Sequence, residues 1–76
     1  MGISLGEEVY SDYLKTAEAD ANKKELNGGL MFQADNTMIY ITKVSTDSYF
    51  GIFADNVTSA QMEKYVSRFT VAPEFW

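Results

Sequence analysis

The 76-residue sequence contains no cysteine and no histidine. Their absence excludes disulfide bonds and every zinc, iron–sulfur or haem site built on thiolate or imidazole ligands. It also excludes a thiolate nucleophile and imidazole acid–base catalysis, so carboxylates, hydroxyls and lysines are the reactive groups that remain. A catalytic pair of carboxylates needs a cleft that shifts their pKa values, and a chain of this length has little room for one. We therefore expect no enzymatic activity, no cofactor and no bound metal.

Basic residues and long apolar runs are also scarce. Eleven acidic side chains against six basic ones give a net charge of -5, which repels nucleic-acid phosphates and anionic lipids. No stretch is long enough to cross a membrane, and the first residues lack the basic and apolar pattern of a secretory signal. We therefore expect no direct binding to nucleic acid or to a membrane, and a cytoplasmic location.

The first part of the chain carries helix signals. Residues 4–7 have the S-x-x-E form of a capping box, which satisfies backbone amides in the first helical turn. Apolar residues then recur at spacings of three and four as far as Ala21, and Gly28-Gly29 follows as a stop signal. This pattern predicts a first helix over residues 5–26.

A second capping box, Thr58 to Gln61, lies near the other end of the chain. Val57 precedes it at the position from which an apolar side chain can pack against Met62 as a hydrophobic staple. Apolar residues at helical spacing follow, and Pro73 disfavours continuation of a helix. The pattern predicts a second helix from residue 59 to about residue 69.

The middle of the chain favours strands. Residues 30–34, 37–44 and 49–54 are rich in β-branched and aromatic side chains, and turn dipeptides at 35–36 and 46–47 separate them. These features predict a three-stranded antiparallel meander. The expected fold class is α+β: a two-layer α-β-β-β-α arrangement in a single domain over residues 1–76, with both helices on one face of the sheet.

Pairing residue 34 with 37 and residue 45 with 48 sorts the strand side chains onto two faces. One face, which includes Leu30, Phe32 and Ile52, is expected to lie under the helices. The opposite face is more apolar than a solvated sheet surface normally is. We expect it to form one contiguous patch that contacts another chain, unless the C-terminal tail with Phe75 and Trp76 covers it. The patch consists of Met31, Met38, Tyr40, Tyr49 and Phe53.

The outer edges of the predicted strands 30–34 and 49–54 contain no proline. Unpaired edges of this kind can hydrogen-bond to a second copy across a two-fold axis. The apolar patch and these edges are therefore two routes to the same expected homodimer.

Asx residues are expected to gather at one end of the meander. Their oxygens could in principle bind calcium, but Asx side chains in turns and helix caps commonly bond to nearby backbone. We therefore interpret the group as turn and cap residues: Asp35, Asn36, Asp55 and Asn56.

The predicted element order resembles that of the double-stranded RNA-binding domain, which is also α-β-β-β-α. That family binds RNA phosphates through lysines at the start of its second helix. The corresponding positions here carry no lysine, so the resemblance implies the topology and not the RNA-binding activity. The four positions that correspond to the RNA-binding lysines are Thr58, Ser59, Ala60 and Gln61.

As a compact, acidic, cysteine-free domain, the chain is also similar to the small inhibitor proteins that phages make against host defences, including anti-CRISPR proteins. This resemblance implies a phage-encoded protein that acts in the host cytoplasm by occluding a basic nucleic-acid-binding partner. The alternative function is a non-catalytic structural or assembly subunit that forms a homo-oligomer. The exposed carboxylates either bind this partner protein or serve only as solubilising charges. The candidate carboxylates are Glu7, Glu8, Asp12, Asp35, Asp47 and Asp55.

Overall fold

The computed structural model describes residues 2–26 and 28–70, without the side chains of residues 69 and 70. In this part of the chain the elements are, in order, β1 Gly2–Leu5, α1 Glu7–Ala19, β2 Lys24–Leu26, β3 Gly29–Ala34, β4 Thr37–Ser45, β5 Ser48–Asp55 and α2 Ser59–Thr70. The strands form one antiparallel sheet in the order β1-β5-β4-β3-β2. The predicted α+β class is confirmed, and the sheet has five strands where three were predicted.

Of the two additional strands, β2 lies within the sequence predicted as the first helix, whereas β1 precedes it and overlaps it only at Leu5. β1 pairs with β5, and β2 pairs with β3. Helix α1 therefore covers only the middle of the predicted range. It begins after Gly6, whose backbone is extended and which makes no side-chain cap bond, while Ser4 lies in β1. The capping box predicted for residues 4–7 is therefore wrong.

Asp20 explains why α1 ends early. Its backbone leaves the helical conformation (φ -80°, ψ 120°), and its carboxylate accepts a hydrogen bond from the amide of Asn22 at 2.8 Å. This local bond gives the chain an alternative to continued helical pairing. The chain then turns and enters β2, although apolar residues continue at helical spacing as far as Ala21.

The prediction for α2 is confirmed. The amide of Gln61 donates to the Thr58 hydroxyl at 3.2 Å, and the Thr58 amide donates to the Gln61 side-chain oxygen at 2.9 Å. This reciprocal pair forms the predicted capping box. Val57 packs against the same apolar cluster that contains Met62, as a hydrophobic staple requires.

The two helices lie on opposite faces of the sheet, so the predicted placement of both on one face is wrong. Adjacent residues of a strand point to opposite faces, and in β3 and β4 both sets are apolar. Each set is buried under a different helix. Helix α2 contributes Met62 and Val66 to a cluster with Met31, Met38, Tyr40 and Ile52. Helix α1 contributes Ala17 to a cluster with Phe32, Ile39 and Ile41.

A β-bulge in β4 determines which face each residue of β5 occupies. Both predicted turn pairings are present, since Ala34 lies opposite Thr37 and Ser45 lies opposite Ser48. Between Lys43 and Ser45, however, the register shifts by one residue. Because side chains alternate along a strand, a shift of one residue moves every later side chain of β5 to the other face.

The predicted contiguous apolar patch is wrong, because the shift moves its two β5 residues to the other face and α2 covers the other three. Ile52 lies opposite Tyr40, whereas Phe53 lies opposite Ile39 and packs in the cluster under α1. Tyr49 stacks on a tyrosine of α1. The other three members of the predicted patch are core residues under α2, with exposed fractions of only 3%, 5% and 1%: Met31, Met38 and Tyr40. Phe75 and Trp76, the alternative cover for the patch, lie outside the described residues.

The strand edges predicted to form a homodimer are also occupied. Strand β1 pairs with β5 over residues 49–52, and β2 pairs with β3 over residues 29–31. The backbone groups that the predicted dimer would use at these positions are bonded to strands of the same chain. The route is therefore wrong for residues 30–31 and 49–52, and the homodimer itself stays a prediction.

The start of β3 provides a test of this packing. A methyl group on Gly29 would lie 2.5 Å from the carbonyl oxygen of Ile41 and 2.6 Å from the Tyr40 ring, whose hydroxyl donates to the carbonyl of Leu26 at 2.9 Å. Backbone oxygen cannot move aside easily, so Gly29→Ala should lower the free energy of unfolding by about 1–3 kcal/mol. Urea unfolding followed by circular dichroism measures this loss.

The matched control is Gly6→Ala, because no atom lies within 4 Å of the added methyl group. Its loss should stay below about 1 kcal/mol, the typical effect at a helix N-cap. Equal unfolding free energies for Gly29→Ala and the wild type would contradict the close approach of β3, β4 and Tyr40.

Candidate functional site

Aromatic contacts fix the orientation of α1 on the sheet. Tyr10 stacks on Tyr49 with a distance of 4.4 Å between ring centroids and an interplanar angle of 28°. Tyr13 packs against Phe32 and Phe53, with centroid distances of 6.4 and 5.5 Å. These two contacting residues are three positions apart on one side of the helix, so they determine which side of α1 faces solvent.

The solvent-facing side of α1 is acidic. Its four acidic side chains are exposed, and Lys15 is the one basic residue of the helix. Two of the carboxylates lie in the first turn, where they interact favourably with the positive end of the helix dipole. We call this surface the acidic face; it consists of Glu7, Glu8, Asp12 and Glu18.

The acidic face connects the two ends of the sheet. Leu5 lies opposite Tyr49 in the sheet, so α1 starts at the end where the β4–β5 turn holds Asp47. At the other end of α1, the carboxylate of Asp20 lies 3.5 Å from the amide of Gln33, close to the turn that holds Asp35. Carboxylates therefore continue beyond both ends of the helix.

The sequence predicted three of the four residues of the acidic face but missed Glu18, and it missed Asp20 beside it. Glu18 lies seven and eleven residues after Ser11 and Glu7, which is helical spacing on the same side. That periodicity could have identified it. All six predicted carboxylates are exposed, but they do not form one cluster. Asp47 lies at one end of the sheet, whereas Asp35 and Asp55 lie at the other.

The Asx residues of the two turns lie at the same end of the sheet and bond to neighbouring groups. The carboxylate of Asp55 accepts a hydrogen bond from the Thr37 hydroxyl at 2.6 Å, and the amide of Asn56 donates to the carbonyl of Asn36 at 3.0 Å. Asp35 and Asn56 adopt positive φ angles of 55° and 56°, which Asx residues tolerate in turns. Within residues 2–26 and 28–70, no three acidic side chains lie close enough together to hold a metal ion.

The α2 side of the molecule is less acidic than the α1 side. In α2 the exposed basic side chains are Lys64 and Arg68, and the carboxylate of Glu63 lies 2.9 Å from the Lys24 ammonium. This exposed ion pair neutralises Glu63 and contributes at most about 1 kcal/mol. The net negative charge is therefore concentrated on the α1 side of the sheet.

A shallow groove of about 520 Å³ lies beside α1, where the helix meets β2 and β3. Its walls are mainly apolar and include Leu14, Leu30 and Ile41, and among the described residues Glu25 is the one carboxylate that lines it. Acid–base catalysis by carboxylates needs two such groups in environments that separate their pKa values. Beside Glu25, the described lining of the groove consists of neutral side chains and backbone.

Burial raises the pKa of two tyrosines, one in α1 and one in β4. Partial burial raises the pKa of Tyr10 above its ordinary value of 10.0, and the nearby Tyr49 and Glu18 raise it further because they disfavour a second negative charge. Burial also raises the pKa of Tyr40, against a smaller lowering by a hydrogen bond with Thr42. Both phenols are therefore held in the neutral form.

Comparison of the chain with protein-family models, with curated proteins and with solved structures found no match. Neither α1 nor α2, the helices of the described part of the chain, has the length and apolar character needed to cross a membrane. The functional argument therefore depends on the geometry and charge of the molecule itself.

The raised pKa of Tyr10 predicts a loss of stability in alkali. A pKa that is higher in the folded state stabilises the protein fully below the unfolded value near 10, and this stabilisation is lost as the pH rises through the folded value. Tyr10→Phe removes the ionisable group and should make the free energy of unfolding fall less steeply above about pH 10. Urea unfolding at a series of pH values measures the slope.

Val9→Ser is the control, because it changes an exposed side chain of the same helix and removes no ionisable group. Its alkaline slope should follow that of the wild type. Identical slopes for Tyr10→Phe and the wild type would contradict the described burial of Tyr10 between α1 and β5.

Proposed function

We propose that this protein is a non-enzymatic inhibitor that binds a partner protein and occludes its basic nucleic-acid-binding groove. The observation that carries the proposal is the acidic face of α1, on which four exposed carboxylates accompany a single lysine. The similarity in kind to small phage inhibitors of the anti-CRISPR type suggests this class of target and a site of action in the host cytoplasm.

The geometry of α1 suits such a contact. Thirteen helical residues span about 20 Å and present negative charge along that length, which is the sign of charge that a nucleic-acid backbone presents to the same groove. A groove lined by lysine and arginine focuses an attractive field, and complementary charge speeds association. The acidic face would compete with nucleic acid by occupying the same positive surface.

The attachment of α1 to the sheet also favours binding. The contacts of Tyr10 with Tyr49 and of Tyr13 with Phe53 hold the helix in place before any partner arrives. A surface that is already ordered loses less conformational entropy on binding than a flexible segment does. The remaining predicted carboxylates, Asp35, Asp47 and Asp55, extend the negative charge at the two ends of the contact.

The direct test compares two variants of equal net charge in affinity capture. Glu8→Gln/Asp12→Asn and Glu63→Lys each raise the net charge of -5 by two, to -3, but only the first changes the acidic face. Each protein is immobilised and incubated with a nuclease-treated extract of the source cell, and the captured proteins are identified by mass spectrometry. The Kd of the captured partner is then measured for each variant.

We expect the captured partner to be a basic nucleic-acid-binding protein that nucleic acid displaces. Its Kd should rise about tenfold or more for Glu8→Gln/Asp12→Asn, stay near the wild-type value for Glu63→Lys, and rise with salt, because salt screens exposed charges. Equal binding by both variants would contradict the proposal. Self-association that is insensitive to salt, with no captured partner, would instead support the assembly subunit.

A further inference from the structure

The groove beside α1 combines an apolar lining with a single charged side chain. Leu14 and Leu30 contribute to the apolar lining, and Glu25 is the one carboxylate among the described lining residues. The groove is open at the turn between β2 and β3, because Gly28 and Gly29, which also line it, have no side chains. Its volume of about 520 Å³ falls in the range of sites that bind small ligands, about 300–1,000 Å³.

Side-chain alternation along β2 places Glu25 on the α1 face of the sheet. Lys24, the residue before it, pairs with Glu63 of α2 at 2.9 Å, and Leu26, the residue after it, packs against the cluster under α2. Adjacent strand residues point to opposite faces, so Glu25 points toward the α1 side, where it lies opposite Leu30 in the sheet. Within residues 2–26 and 28–70 no basic side chain pairs with this exposed carboxylate.

A second negative charge lies on the helix side of the groove. Glu18 is four residues after Leu14, so the two side chains are neighbours on the same side of α1. The charge of Glu18 also contributes to the raised pKa of Tyr10, which lines the groove. Lys15, the one basic residue of α1, is not part of the lining. The groove therefore has an apolar centre with a carboxylate on the strand side and another on the helix side.

We propose that this groove binds an arginine side chain of the basic partner protein, an inference that rests on the proposed function for the class of partner. Arginine has an apolar stem, which matches Leu14 and Leu30, and a planar cation that can donate two parallel hydrogen bonds to Glu25. A neutral apolar ligand would partly desolvate the Glu25 charge without pairing it. Lysine would supply only a point charge, and arginine is enriched among the residues that dominate binding energy at protein interfaces.

Titration of the isotope-labelled protein with the peptide acetyl-Ala-Arg-Ala-amide, followed by nuclear magnetic resonance, tests the groove without any partner protein. The methyl resonances of Leu14 and Leu30 should shift saturably, while that of Met62, under α2, should not. The same peptide with citrulline, which keeps the shape and removes the charge, should give no saturable shift. The lysine peptide should bind about threefold more weakly or worse, because an ammonium group cannot make the paired hydrogen bonds.

Glu25→Gln should raise the Kd of the arginine peptide about threefold or more, as expected for loss of an exposed ion pair. Glu63→Gln is the matched control, because it removes the same charge on the α2 side, and it should keep the wild-type Kd. The inference is overturned if the wild type shows no saturable shift, if the three peptides bind equally, or if Glu25→Gln binds like the wild type. Binding of the arginine peptide without capture of a basic partner would support the arginine site and contradict the proposed function, so the two failures are distinguishable.

Discussion

Burial of the central strand on both faces is the constraint on which the other elements depend. Five consecutive residues of β4, from Met38 to Thr42, are buried. Their side chains alternate, so Tyr40 packs under α2 while Ile39 and Ile41 pack under α1. Placing one helix on each face keeps both surfaces from water. The short strands β1 and β2 then pair with the outer edges of the β3–β4–β5 meander.

This arrangement links the fold to the candidate site. Helix α1 can present its carboxylates outward only because its inner side holds Tyr10, Tyr13 and Ala17 against the sheet. The other helix covers the opposite face with a more balanced set of charges. The asymmetry of charge across the sheet is therefore a consequence of having one helix on each face, and it gives the two sides different possible partners.

The features that were predicted correctly from the sequence are those that several local signals support together. For α2, the capping pair Thr58 and Gln61, the staple residue Val57 and the apolar period all indicate the same helix, and the structure confirms it. For α1, the apolar period continues past the true end, and the helix ends earlier at Asp20, whose carboxylate accepts a hydrogen bond from the Asn22 amide. The exposure of the carboxylates was predictable, because charged side chains are rarely buried without a partner.

The bulge could not be predicted in the same way. It lies between Lys43 and Ser45, and no glycine marks it in the sequence. The turn pairing of Ser45 with Ser48 was predicted and is present. One extra residue beside it, however, places each later side chain of β5 on the face opposite to the predicted one. Core packing favours this register, because the register places Ile52 in the cluster with Met62 and Val66 and places Phe53 against Tyr13.

Nuclear Overhauser contacts of two adjacent residues, Ile52 and Phe53, test the two-sided core most directly. With the bulge, the Phe53 ring should show contacts to the Tyr13 ring, at a centroid distance of 5.5 Å, and the Ile52 methyl groups should show contacts to Met62. Without the bulge, Ile52 and Phe53 would exchange these contacts. Contacts from Phe53 to Tyr40 and Met62, with Ile52 facing Tyr13, would contradict the opposite placement of the two helices on which the proposed site depends.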